Sequence, residues 1–190
     1  MDRRTKALFA DRESPDREVA YQALESLWEL TEEPVDWAYE VWDQLLSDLT
    51  HREGSTRAFS AQLLTRLAIS DPEGRMLSDF PKVAAVMEDE KPVTARHTLQ
   101  SLWHVGLAGL KQRVLVLEAL ETRFRTSGGT RRGSVVRRDV MTGLGQLFQA
   151  TNDDQVKARA HALLDEESDE KERKKQRAAW KKAKGGSPDD

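Results

Sequence analysis

Apolar residues along this chain return every three or four positions, and nowhere do they alternate with polar ones over a strand-length stretch. That spacing gathers them on one side of a helix and leaves the period-two pattern of a sheet without support. Ala20, Ala23, Leu24, Leu27 and Leu30 form a first stripe. Ser14 or Asp16, both side-chain acceptors, caps a helix that runs from there to about Glu32. Pro34 ends this helix or opens the next at its first turn. The segment VDWAYEVWDQLLSDL turns Val35, Ala38, Val41, Trp42, Leu45, Leu46 and Leu49 inward. A third helix carries Ala58, Ala61, Leu64, Leu67 and Ala68, and the breakers Pro72 and Gly74 close it in the loop 70–75. A shorter helix from about Asp79 to Glu88 presents Val83, Val86 and Met87, and another follows at about 93–106. The stretch LKQRVLVLEALETRF packs Val114, Leu117, Leu120 and Phe124. The glycine-rich residues 127–134 read as an exposed, mobile loop before the helix SVVRRDVMTGLGQLFQ. Polar residues 151–154 then cap a helix that buries Val156, Ala160, Leu163 and Leu164.

One segment recurs: an arginine followed by apolar residues at helical spacing. It starts at Arg17, Arg57, Arg96 and Arg137, at offsets of 40, 39 and 41 residues. Helical self-similarity at this period marks a HEAT or armadillo-like solenoid, in which each hairpin buries its apolar face against the next. Paired in order, the helices give hairpins at about 35–69, 79–106 and 110–149 and a terminal pair from 155, with the helix at 17–32 as an N-terminal cap. The fold expected is all-α, a HEAT-like right-handed superhelix of about nine helices. Residues 1–14 are a flexible lead-in, 15–166 the repeat domain, 167–184 a charged C-terminal helix and 185–190 a disordered tail.

Composition narrows the function more than the fold. Of 190 residues, 38% are hydrophobic and 33% charged, a thin core under a large charged surface, as suits layers that touch only their neighbours. Cysteine is absent, which excludes disulfides and thiolate metal sites and fits a reducing cytoplasm. No apolar run approaches the ~20 residues of a membrane span. The opening MDRRTKALFADRESPD is too charged for the apolar core of a secretory signal. Residues 1–100 hold 12 Lys/Arg against 20 Asp/Glu, and residues 101–190 hold 18 against 13. Such asymmetry either marks a basic binding face or is incidental surface charge.

The segments SDPEGRMLSDF at 70–80, TARHTLQSLWHVGLAG at 94–109 and DEKERKKQRAAWKK at 169–182 resemble a small microbial family of HEAT-repeat proteins. The resemblance implies the repeat fold and supplies no reaction.

Candidate chemistry is sparse. The recurring arginines read either as a structural ladder between hairpins or as a row of guanidinium groups that suits an acidic or phosphate-bearing partner. His97 and His104 lie seven apart, too far for both to reach one ion easily, where a two-histidine metal site uses i, i+4 spacing and a carboxylate. The Gly128–Gly129 loop follows a helix and lacks the ending of a phosphate loop, and no nucleophile motif occurs. Trp37 and Trp42, beside Asp36 and Asp43, hold the ingredients of the groove in HEAT-like DNA alkylation-repair glycosylases, but they sit in the acidic half, where DNA demands a basic surface. Arg123, Arg125, Arg131, Arg132, Arg137 and Arg138 put six guanidinium groups into 16 residues. The C-terminal run reads as a solvated helix with i, i+4 Glu–Lys pairs and Trp180 docked back or exposed.

The function expected is therefore a non-enzymatic, cytoplasmic scaffold or adaptor without cofactor or metal. It binds a protein partner on its concave surface through Arg57, Arg96, His97, Gln100, His104 and Arg137, with Arg131 and Arg132 as a basic rim. The alternative is a nucleic-acid-binding protein that uses the 123–138 cluster, with or without glycosylase activity.

Overall fold

The computed structural model describes residues 1–185, and every regular element among them is helical. Ten α-helices follow in order: α1 (Arg3–Arg12), α2 (Arg17–Leu30), α3 (Ala38–Asp48), α4 (Gly54–Leu67), α5 (Met76–Ala85), α6 (Pro92–Ser101), α7 (Leu110–Thr126), α8 (Gly133–Thr151), α9 (Asp154–Glu166) and α10 (Glu170–Ala183). Three of them tighten into 3₁₀ turns at Ala68–Ser70, Val86–Glu88 and Leu102–Leu107. Aspartate carboxylates satisfy the first free backbone donors of α1, α2, α9 and α10: Asp2 accepts from the Thr5 N–H at 2.7 Å and Asp16 from Glu18 at 2.9 Å, and Asp153 and Asp169 act likewise. Asn152, the one non-glycine residue with positive φ (48°) among those described, ends α8 in the left-handed conformation.

Helices α4, α6, α8 and α10 pack one on the next, and α3, α5, α7 and α9 form a second row behind them. The chain alternates between the rows, so successive helices make hairpins that stack in sequence order. Side-chain hydrogen bonds between hairpins accordingly join residues about one hairpin apart. The Trp42 indole donates to Asp79 across 37 residues, Thr94 to the Gly54 carbonyl across 40, Arg113 to Asp153 across 40 and Arg159 to Glu121 across 38. One core runs the length of the stack, from Leu27 and Trp42 through Leu64, Leu102 and Leu120 to Leu144 and Leu163, all fully buried. Glycine sets the closest approach. A Cβ on Gly145 would lie 2.7 Å from the Ala183 Cβ and 2.9 Å from the Trp180 carbonyl oxygen, so α8 meets α10 almost backbone to backbone.

Three differences from the sequence reading have local causes. Residues 3–12, read as a lead-in, form α1, because Asp2 caps them and Phe9 inserts edge-on against Trp37 and Phe59 at 5.8 and 6.4 Å between ring centroids. Helix α5 begins at Met76 instead of Asp79, because the Asp71 carboxylate accepts from the Arg75 and Met76 N–H groups at 2.9 and 2.7 Å. Val114 is 41% exposed rather than packed, because the buried face of α7 runs through Val116, Leu117, Leu120 and Phe124. The tail read over 185–190 lies, apart from Gly185, outside the described residues.

Candidate docking face and its ion pairs

The recurring arginines bridge hairpins. Arg57 on α4 gives both ends of its guanidinium to Asp89, at 2.6 and 2.7 Å, and donates to the His51 and Arg52 carbonyls. The pair is almost fully enclosed. The Arg57 fork holds the Asp89 carboxyl below its ordinary range, and Asp89 in turn raises the guanidinium. Arg137 on α8 donates to Glu167 at 2.6 Å and to the Phe124 carbonyl at 3.1 Å, and lies over the Phe124 ring. Arg96 on α6 makes the same kind of bridge to Asp139 on α8, at 2.8 and 3.2 Å, but its side chain stays 56% exposed. Arg17 makes no ion pair among the described residues. The row thus holds two guanidinium groups that face inward and one that is fixed in position yet open to water.

Three grooves run between α2 and the helices of the front row, α4, α6, α8 and α10. The first, about 760 Å³, lies between α2 and α4 and reaches the start of α6. Its walls are mostly apolar, with Tyr21, Leu24 and Trp28 on one side and Ala58, Phe59 and Val93 on the other. Trp28 stacks on Phe59 at 5.8 Å, and Arg12 and Arg66 cover these rings at 3.8 and 5.0 Å. Both guanidinium groups are lowered in pKa by burial. The second groove, about 510 Å³ between α6 and α8, shares Pro92, Val93 and His97 with the first and adds Arg96, Gln100 and Arg132. The third, about 520 Å³ between α8 and α10, shares Arg96, Val135 and Asp139 with the second. The residues held in common make the three continuous.

Four of the eight residues read from the sequence line this surface together: Arg96, His97, Gln100 and Arg132. Gln100 donates to Asp139 at 3.1 Å and so shares the carboxylate that fixes Arg96. Arg57 and Arg137 are occupied by their carboxylates, and Arg131 is exposed outside the grooves. His104 lies in the 3₁₀ turn after α6, stacked on Trp103 at 3.9 Å, with Nδ1 donating to the Ser101 carbonyl at 2.8 Å. Trp37 and Trp42 are buried and offer no surface, and Asp43 pairs with Arg75. Within the 123–138 cluster, Arg123 pairs with Glu88, Arg125 with Glu166 and Glu121, and Arg137 with Glu167, which leaves Arg131, Arg132 and Arg138 without a carboxylate among the described residues.

The aromatic groove between α2 and α4 was not legible as a site. Of its lining residues the sequence places only Ala20, Leu24 and Ala58 in an apolar stripe and assigns no place to Tyr21 or Phe59, and the structure leaves Tyr21 55% and Val93 68% exposed. The described residues hold no group of three or more His, Asp or Glu placed for a metal ion, and no helix long and apolar enough to cross a membrane. No protein-family model, curated protein or solved structure matches the chain, so the reading rests on these residues alone.

Proposed function

We propose that this chain is a non-enzymatic HEAT-like scaffold, wound as a right-handed superhelix, that docks a protein partner along the concave face of α2, α4, α6 and α8. The observation that supports this most is the continuity of the grooves through Pro92, Val93 and His97, with two large exposed apolar side chains, Tyr21 and Val93, beside them. An apolar patch bordered by fixed charges is what a protein interface needs: buried anchors supply affinity and a polar rim supplies register. Arg96 and Gln100, both held by Asp139, are pre-positioned donors for a partner's carboxylate or carbonyl. Nothing in the grooves pairs a nucleophile with a base. A chain without cysteine suits a reducing compartment, and the cytoplasm is the compartment proposed.

Two exposed valines on opposite rows make a matched test. Val93 borders the grooves, whereas Val114 stands on α7 in the back row. Proteins captured from the native host on immobilised wild type should fall by about tenfold on Val93→Asp, the effect of one lost anchor, and remain on Val114→Asp. Equal recovery on all three, or loss confined to Val114→Asp, would contradict the proposal.

A further inference from the structure

The largest body of unneutralised positive charge lies on α10, away from the arginine cluster that the sequence brings forward. Helix α10 carries seven Lys/Arg against two Glu. Both glutamates pair within the helix, Glu170 with Arg173 and Glu172 with Lys175. Lys171, Lys174, Arg177, Lys181 and Lys182, with Lys184 just beyond the helix, have no carboxylate within ion-pair distance among the described residues. Lys171, Lys174, Arg177 and Lys182 are exposed, and Lys181 and Lys184 are half-buried.

These charges flank the helix on both sides. Lys182 borders the 520 Å³ groove against α8, where the guanidinium of Arg138 joins it and the one carboxylate, Asp139, is held by Arg96. Arg177, Lys181 and Lys184 border a cavity of about 450 Å³ against α9, joined there by Lys157, and Asp165 is its one carboxylate. The apolar side of α10 is spent on the fold: Trp180 is 3% exposed, packed between Phe148 and His161, and Gln176 is buried against Glu167. The helix is thus anchored from within and presents charge outward.

We infer that the α10 face is a docking surface for the phosphate backbone of duplex nucleic acid, read without regard to sequence. Five of the six free cations are lysines, compact point charges suited to phosphate, whereas paired recognition of carboxylates favours the arginine fork. Charge on both flanks of a helix about 10–12 Å across matches phosphates of two strands that face each other over a groove about 12 Å wide. A single strand offers one row of phosphates and is held by stacking on exposed aromatic rings, which α10 lacks with Trp180 buried. Membrane insertion needs a free apolar face, and that of α10 is covered. The α10 face shares the 520 Å³ groove with the candidate protein-docking surface but rests on the lysines of α10, and either reading can fail without the other.

The test is fluorescence anisotropy of the full chain with a labelled 20-base-pair duplex, the single strand of the same sequence and a polyglutamate peptide, each from 50 to 200 mM NaCl. With four to six phosphate contacts, duplex affinity should fall by about 10²–10³ over that range, a log–log slope of about −3.6 to −5.4. The variant Lys171→Gln/Lys174→Gln/Lys182→Gln, altered only at exposed positions, should keep the wild-type thermal midpoint and flatten the slope by about 2–3. Lys182→Gln alone should flatten it by about 0.9. Arg131→Gln/Arg132→Gln, outside the helix, should leave it nearly unchanged. Four results would overturn the inference: no duplex binding at 50 mM NaCl, single-strand or polyglutamate binding tighter than duplex, a slope untouched by the lysine changes, or loss of binding only with the Arg131/Arg132 pair.

Discussion

Arg57 and Arg96 open the same recurring sequence segment, yet one is enclosed by Asp89 and two carbonyls while the other faces water beside Asp139. The recurrence of arginine is legible in sequence, but which guanidinium stays open depends on carboxylates 30 to 43 residues away. His104 shows the same dependence. Burial, with Arg66 nearby, pushes its imidazole down to about 4. An unfolded histidine titrates near 6.5, so between those values the unfolded chain holds a proton that the folded chain does not. Stability therefore rises with pH across this window, falls as pH drops from about 6.5 to 4, and loses nothing further from His104 below that. At ~1.4 kcal/mol per pH unit, and with the ring still partly open to solvent, the loss should be about 1–3 kcal/mol. Urea unfolding at pH 7 and pH 4.5 checks this: wild type should lose more stability than His104→Gln. Equal losses would place His104 in an ordinary, hydrated setting.

At the scale of elements, helix type and most buried stripes follow from the 3.6-residue period, and of the two caps the sequence offers, Ser14 and Asp16, it is Asp16 that caps α2. What the period does not carry is contact at element ends. Helix α1 has only Leu8 and Phe9 to bury, so its stripe is too short to stand out, and tertiary contact of Phe9 with Trp37 and Phe59 holds it. Helix α7 shows the converse, with Val114 at the edge of the apolar stripe but exposed, since the helix buries Val116, Leu117, Leu120 and Phe124 instead. Gly145 also reads as a helix defect, since glycine costs about 1 kcal/mol relative to alanine inside a helix. Its absent Cβ instead lets α8 and α10 close. Gly145→Val should therefore destabilise by about 1–3 kcal/mol through overpacking against Ala183 and the Trp180 carbonyl. A calorimetric scan showing an unchanged or raised midpoint would mean that the two helices do not meet so closely.

Across the whole molecule, the pairing of helices into hairpins was legible from the 40-residue recurrence, and the front and back rows follow from it. The residues that line the grooves were legible only in part. Arg96, His97, Gln100 and Arg132 line them, but Tyr21, Trp28, Phe59 and Val93 belong to no stripe or candidate site in the sequence, because a groove wall is made by residues of α2, α4 and α6 that lie far apart along the chain. If the front row binds a protein partner, as proposed, hydroxyl-radical footprinting should register it on that row. The chain carries exposed apolar reporters on both rows, with Tyr21 and Val93 in front and Leu110 and Val114 behind. Oxidation at each should be measured on the free chain and on the complex isolated from the native host. The expected result is strong protection of Tyr21 and Val93 with Leu110 and Val114 unchanged. Protection of Leu110 and Val114 while Tyr21 and Val93 stay reactive would contradict it.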